Sequence, residues 1–129
     1  MTVILDVEQG SPEWAQARVG VVTASALGGI VTPARLQRAK SDYMATLAAE
    51  WLMGQPLEDE WAGNFWTERG QSMEPEARAW FALQTGETVA DVGFVYRDEE
   101  REVGCSPDGM TVDGGLELKC PALKTHIQY

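Results

Sequence analysis

The sequence predicts a mixed α/β (α+β) domain, helices first and strands after, on three observations. Between Ser41 and Gly54 the apolar residues Met44, Leu47, Ala48, Trp51 and Leu52 recur at i, i+3, i+4, i+7 and i+8, the spacing of a helix with one buried side. A second long helical pattern runs from Asn64 to Thr85, with Gly86 after it. Beyond Gly86 the texture changes to short apolar runs: Val89, Val92, Phe94 and Tyr96, then Val103 to Cys105, then Leu116 to Cys120. These are separated by turns rich in Asp, Gly and Glu, which is how strands read. Helices followed by a β-meander give a mixed domain.

The elements follow from local chemistry in chain order. Ser11 is a good N-cap, Pro12 suits the first helical position and Gly20 suits the stop, so a short helix is expected over 11–19. Thr23 caps a brief turn through Ala24, Ser25 and Leu27, with outward-pointing amides, which Gly28-Gly29 and then Pro33 end. Gly54 terminates the Ser41 helix, and 55–63, with Pro56, Glu58, Asp59, Glu60 and Gly63, reads as a loop. Pro75 deletes the hydrogen bond to the Gln71 carbonyl, which predicts a kink or restart beside Glu74. Asp113-Gly114-Gly115 is a hairpin signal that folds the segment carrying Asp108 against the one carrying Glu117.

Composition narrows the function classes. With 129 residues, 44% apolar, five Trp, and no repeat or linker, one domain is expected, burying about two-thirds of its unfolded surface. No apolar run approaches the roughly 20 residues of a membrane helix, and MTVILDVEQG lacks a basic region followed by a cleavable apolar stretch, so a soluble, intracellular chain without a membrane role is expected. Cys105 and Cys120 have neither CxxC spacing nor a His cluster, and are expected as buried thiols rather than a disulfide or zinc site. A net charge of −10 opposes a general nucleic-acid surface. Yet Ala15 to Ser41 holds Arg18, Arg35, Arg38 and Lys40 and not one acid, so a local basic surface on an acidic protein is consistent with the sequence.

The charged residues of the C-terminal stretch stand out against this background. In an extended strand Leu116, Leu118 and Cys120 share one face while Glu117 and Lys119 share the other, about 6.6 Å apart. A charge inside so apolar a strand is costly unless paired or metal-bound. On helix 64–85, Gly70, Glu74, Ala77 and Phe81 share a face that is apolar apart from Glu74. Hard oxygen ligands suit Mg²⁺ or Mn²⁺ and a phosphodiester substrate, with the lysine serving the water and offsetting transition-state charge. Asp108, Glu117 and Lys119 are therefore a candidate nuclease centre, with Glu74 a fourth member. The structural alternatives are an exposed Glu117–Lys119 pair with Asp108 as turn chemistry, and Glu74 paired with Arg78 one turn on. Trp61, Phe65 and Trp66 read as core ahead of a DNA wedge, and His126 as solvated.

Four stretches in order, "EQGSPEWAQARVGVVTAS" (8–25), "ERGQSMEPEARAWF" (68–81), "VYRDEEREVGCSPDG" (95–109) and "GLELKCP" (115–121), resemble the phage lambda-type exonucleases, the viral recombinase branch of the PD-(D/E)XK nuclease superfamily. The resemblance implies a restriction-endonuclease-like core whose C-terminal part is missing, so that 1–129 is a single nuclease domain and the N-terminal part of a longer one. It implies a Mg²⁺-dependent 5′→3′ exonuclease on double-stranded DNA ends, with Mn²⁺ able to substitute, leaving 3′ overhangs for a single-strand annealing protein in phage-type recombination. It implies a ring-shaped homotrimer in the cytoplasm of a bacterial host. By the same resemblance Asp108, Glu117 and the backbone carbonyl of Leu118 hold the metal, Lys119 serves the attacking water and Glu74 completes the centre. Arg18 and Ser25 fall on the "RxGxxTAS" pattern that grips the 5′-phosphate, and Arg35 where a DNA-contacting arginine is expected. The alternative is a truncated, non-catalytic homologue that binds DNA ends or a partner protein.

Overall fold

Ser11 accepts a hydrogen bond from the Trp14 amide at 3.1 Å, and Pro12 opens helix α1 (Pro12–Ala17), the cap and first turn the sequence predicts. The computed structural model describes residues 1–31, 37–57, 65–121, 125 and 127. The chain divides into two compact units, residues 1–59 with 92–106 and residues 60–91 with 107–129.

The first unit is built on a four-stranded sheet. Strands β1 (Val3–Leu5), β2 (Val22–Thr23), β3 (Phe94–Tyr96) and β4 (Val103–Cys105) lie in the order β1-β3-β4-β2. β3 runs antiparallel to β1, with Ile4 opposite Val95, and antiparallel to β4, whereas β2 pairs parallel to β4 with Val22 opposite Val103. The sheet is therefore not the simple meander expected after a helical half. Two of its strands come from the N-terminal segment, one of them where a capped turn alone was expected. Both are two or three residues long and show no period of their own, so only their partners far along the chain make them strands. The expected turn does follow β2, as a 3₁₀ turn (Ala24–Ala26) leading into α2 (Leu27–Val31).

β3 carries the core. Phe94 is fully buried, its ring meets Tyr96 edge-on at 5.0 Å and 73°, and Val21 completes a cluster flanked by Val3, Leu5, Trp14 and Ala17. Gly104 makes room for that ring, since a Cβ there would lie 2.4 Å from a Phe94 ring carbon. The Tyr96 hydroxyl donates to the Ala17 carbonyl at 2.6 Å, satisfying one of the orphan acceptors at the end of α1.

Helix α3 (Gln37–Met53) starts earlier than the apolar pattern indicated and ends at Gly54, whose φ of +67° suits a glycine stop. Of the predicted apolar face only Leu47 is buried; Met44, Trp51 and Leu52 are exposed. Periodicity marks which side can be buried and does not supply what covers it. Cys105 and Cys120 are half-buried thiols instead of fully buried ones.

In the second unit helix α4 (Phe65–Thr85) is continuous through Pro75, because losing one bond to Gln71 leaves the turns on either side intact. The half-buried positions from Gly70 onward, Gly70, Glu74, Ala77, Arg78, Phe81 and Ala82, mark the face predicted for it. The hairpin forms as expected: β5 (Gly109–Met110) pairs with β6 (Gly115–Leu116), and the Thr111 amide donates to the Gly114 carbonyl at 2.8 Å across the turn. The ladder stops at Leu116, four residues short of the strand predicted through Cys120. Val89 and Val92 likewise lie outside β3, with a single bridge between Ala90 and Met110 beside the hairpin. The described residues contain no helix long and apolar enough to cross a membrane.

Phe94→Ala should cost about 3–5 kcal/mol, because among the described residues it removes the one side chain wholly enclosed by the sheet core. Urea unfolding followed by tryptophan fluorescence checks this, and a midpoint unchanged from the native chain would contradict the core described.

Candidate functional site

Asp108 sits one residue ahead of β5, where the hairpin brings it against the far strand. Its amide donates to the Leu116 carbonyl at 2.9 Å, and its carboxylate Oδ2 accepts from the Leu118 amide at 2.5 Å. The side chain thus takes over from the backbone ladder where that ladder ends. This is the juxtaposition of Asp108 with the Glu117 segment that the hairpin signal predicts.

Past Leu116 the alternation of faces persists without a strand: Leu116, Leu118 and Cys120 are half-buried, while Glu117 and Lys119 are exposed. The Glu117 and Lys119 side chains are 61% and 74% exposed, and Lys119 Nζ bonds Glu117 Oε1. The expectation of charges forced into a buried strand is therefore corrected. The pair faces solvent, burial cost does not compel a metal there, and an exposed pair contributes little to stability.

Glu74 is where the charges converge. Its carboxyl lies above the ordinary glutamate range, first because of burial and then because of the negative charge of Asp108; Glu117 adds to this, while Arg78 and Lys119 oppose it. Asp108, Glu117 and Lys119 thus all act on Glu74 within this unit. Arg78 does not close on Glu74 as the structural alternative had it: its Nη1 meets Asp91 Oδ2 at 3.1 Å, and its buried Nε has no partner among the described residues. Among the described residues, no three His, Cys, Asp or Glu groups stand close enough to hold a metal ion. The donor set nevertheless fits a hard divalent cation in chemistry, being carboxylates and a backbone carbonyl with an ammonium beside them.

Sequence reasoning missed Arg69, whose Nη1 donates to the Cys120 carbonyl at 3.0 Å. Its only signal was a cation inside the 68–81 stretch, and the side chain is half-buried.

In the first unit Arg18 is the C-cap of α1, but its guanidinium lies over the Trp14 ring at 4.2 Å, and the Trp14 indole N–H donates to Ser106 Oγ at 2.8 Å. Burial pulls the Arg18 pKa down from the usual arginine value, while Tyr43 and Glu50 counter the shift, and arginine stays charged. Ser25 is exposed in the 3₁₀ turn, its Oγ 3.4 Å from Thr23 Oγ1. Helix α3 braces this segment: the Tyr43 hydroxyl accepts from the Thr23 amide at 3.2 Å, and Glu50 Oε2 from the Gly20 amide at 3.0 Å. Arg35, Trp61 and His126 lie outside the described residues, as do the side chains of Phe65 and Trp66.

Residues 13–129 match the model of the YqaJ-like viral recombinase domain. Two solved structures are similar: LHK-Exo in complex with dAMP, at 38% identity and a TM-score of 0.75, and the alkaline exonuclease LHK-Exo from Laribacter hongkongensis, at 39% and 0.73. Each match covers 92% of this chain and 57% of the other, so the chain spans just over half the length of these structures. No curated protein matches. The mixed α/β architecture of the PD-(D/E)XK type expected from the sequence is shared with them.

A carboxyl held above its ordinary value stabilises the fold below that value and loses the contribution as the pH rises through the raised one. At neutral pH the ionised Glu74 is therefore a net cost. Glu74→Gln should raise the thermal midpoint at pH 7, and the gain should vanish as the pH falls to about 4, near the ordinary glutamate pKa. Thermal scans at both values decide it; equal midpoints at pH 7 would contradict the electrostatic picture.

Proposed function

Because the chain belongs to the YqaJ-like viral recombinase family, we propose that it carries the centre of a divalent-metal-dependent exonuclease that degrades one strand of duplex DNA from its 5′ end. The supporting observation is the convergence on Glu74: burial first, then the charges of Asp108 and Glu117, hold its carboxyl above the ordinary range, while the hairpin brings Asp108 onto the segment that carries Glu117 and Lys119. Asp108, Glu117 and the Leu118 carbonyl are the proposed ligands of Mg²⁺, or of Mn²⁺ in its place, with Glu74 beside them. A bound ion would supply a water acidic enough to attack near neutral pH and would polarise the phosphoryl oxygens.

The chain's own groups do the rest. Lys119, as an ammonium, orients the attacking water and offsets charge growing on the phosphate. Asp108 also holds Leu118 in place through its amide, so its two oxygens serve different ends. Arg18, kept flat by Trp14, and the exposed hydroxyl of Ser25 are proposed to receive the 5′-terminal phosphate, with Arg35 a further DNA contact. The resemblance to the lambda-type exonucleases extends the reading to a ring-shaped homotrimer whose 3′-overhang product passes to a single-strand annealing protein.

One observation favours a second reading, a non-catalytic protein that binds DNA ends. Glu117 and Lys119 pair with each other at the surface, and among the described residues no three acids stand together. A Mg²⁺ titration on 5′-phosphorylated duplex separates the two. Salt-dependent binding without degradation in Mg²⁺ or Mn²⁺ would select the second reading.

If the first holds, Asp108→Ala and Lys119→Ala should each lower Mg²⁺-dependent degradation by about 10²–10⁴-fold while circular dichroism stays native; full activity in both would refute the assignment. Arg18→Ala should reduce cleavage of 5′-phosphorylated ends about 10- to 100-fold more than that of 5′-hydroxyl ends, the loss of a charge-assisted hydrogen bond. Equal losses on the two substrates would remove Arg18 from the phosphate.

A further inference from the structure

Three of the residues on which the proposed chemistry depends, Glu117, Leu118 and Lys119, lie just past the point where regular structure stops. β6 ends at Leu116, yet residues 117–120 keep the two-residue alternation of an extended strand. Among the described residues, two side-chain bonds to this segment's backbone take the place of the ladder. Asp108 Oδ2 accepts from the Leu118 amide at 2.5 Å, and Arg69 Nη1 donates to the Cys120 carbonyl at 3.0 Å. The two clamps grip the peptide before Leu118 and the one after Cys120, so they bracket Lys119 and the peptide that carries the Leu118 carbonyl. One clamp comes from the hairpin and the other from α4.

We propose that Arg69 is a positioning residue for the metal centre: by holding the Cys120 carbonyl it fixes the Leu118 carbonyl and the Lys119 ammonium relative to Glu74, which lies five residues further along the same helix. The inference rests on the nuclease reading above. Four features support it. The bond is charge-assisted and partly shielded from water, which makes it stronger than an exposed neutral one. Arginine keeps its charge at every working pH and presents a rigid, planar set of donors, so the clamp does not loosen when nearby carboxylates titrate. A helix is a stiff lever, so a contact at Arg69 and a carboxylate at Glu74 set the segment against the acid in one step. Finally, an ion bound through a backbone carbonyl depends on groups that orient the peptide carrying it, and removing such a group commonly weakens binding by about 10- to 100-fold.

A direct grip of Arg69 on DNA phosphate is the competing role, and it predicts a different pattern. The test uses the full chain and its Arg69→Ala and Arg69→Lys variants, with Mn²⁺ as the probe. Calorimetric Mn²⁺ titration should show binding weakened about 10- to 100-fold in Arg69→Ala and by less in Arg69→Lys, which keeps one donor in reach. Metal-free binding of 5′-phosphorylated duplex should be unchanged in both. Amide exchange should quicken in the peptide spanning 117–121 and stay native in α4 and in β5.

Native Mn²⁺ affinity in Arg69→Ala would overturn the proposal. So would lost duplex binding at unchanged Mn²⁺ affinity, which is the signature of a phosphate contact, or exchange quickened throughout α4, which is that of a fold-wide role. If the native chain itself bound no Mn²⁺, the nuclease reading would fall and the positioning role with it, a result distinct from failure of Arg69 alone.

Discussion

A single carboxylate at the end of a ladder organises the candidate centre. When β6 stops at Leu116, the Leu118 amide would face an unsatisfied donor's penalty, and Asp108 Oδ2 meets it from across the hairpin. That bond pins the segment at Leu118, within a stretch where Glu117 and Lys119 lie on one face. The Asp113-Gly114-Gly115 turn matters for the same reason: it sets the register, Gly109 opposite Leu116, that delivers Asp108 to its partner. A one-residue slip would turn every one of these groups to the wrong side.

Around that bond the unit accumulates negative charge at some cost to itself. Glu74 on α4 sits half-buried against the fields of Asp108 and Glu117, which is why its carboxyl is harder to ionise than an ordinary glutamate. Lys119 and Arg78 offset part of the repulsion, and Arg69 adds a third cation whose hydrogen bond goes to the backbone. Like charges kept in proximity by a scaffold are an arrangement that a folding optimum alone would not choose and that a divalent cation would relieve. The exposed Glu117–Lys119 pair is consistent with this picture, since weakly held partners are easily rearranged by a ligand.

The first unit solves a different problem, holding a cation still at the end of a short helix. Tyr96, anchored by Phe94 in the core, bonds the last carbonyl of α1, and Trp14, anchored by Ser106, lies under the Arg18 guanidinium. Tyr43 and Glu50 then tie the Gly20 to Thr23 backbone to α3, leaving the Ser25 hydroxyl exposed on its turn. An arginine stacked on an indole has lost little freedom still to be surrendered on binding, which suits recognition of a terminal phosphate. A net charge of −10 opposes a general basic surface, so a contact with a polyanion has to rest on such local placement.

The sequence by itself determined what depends on neighbours a few residues apart: the Ser11–Pro12 start, the glycine stop at Gly54, the half-buried face of Gly70, Glu74, Ala77 and Phe81, the hairpin, and the two-residue alternation from Leu116 to Cys120. It also marked Asp108, Glu117 and Lys119 as a group, because the turn that unites Asp108 with the other two lies within nine residues of them all. Only the tertiary structure decided the pairing of β1 with β3 and of β2 with β4, the exposure of Trp51 and Leu52, the short ladder, and the grip of Arg69 on Cys120. Periodicity, caps and turns are properties of a local backbone and can be read from a window of sequence. Strand partners, solvent cover and long-range clamps depend on which distant segments close against each other, and no window contains both sides of those contacts.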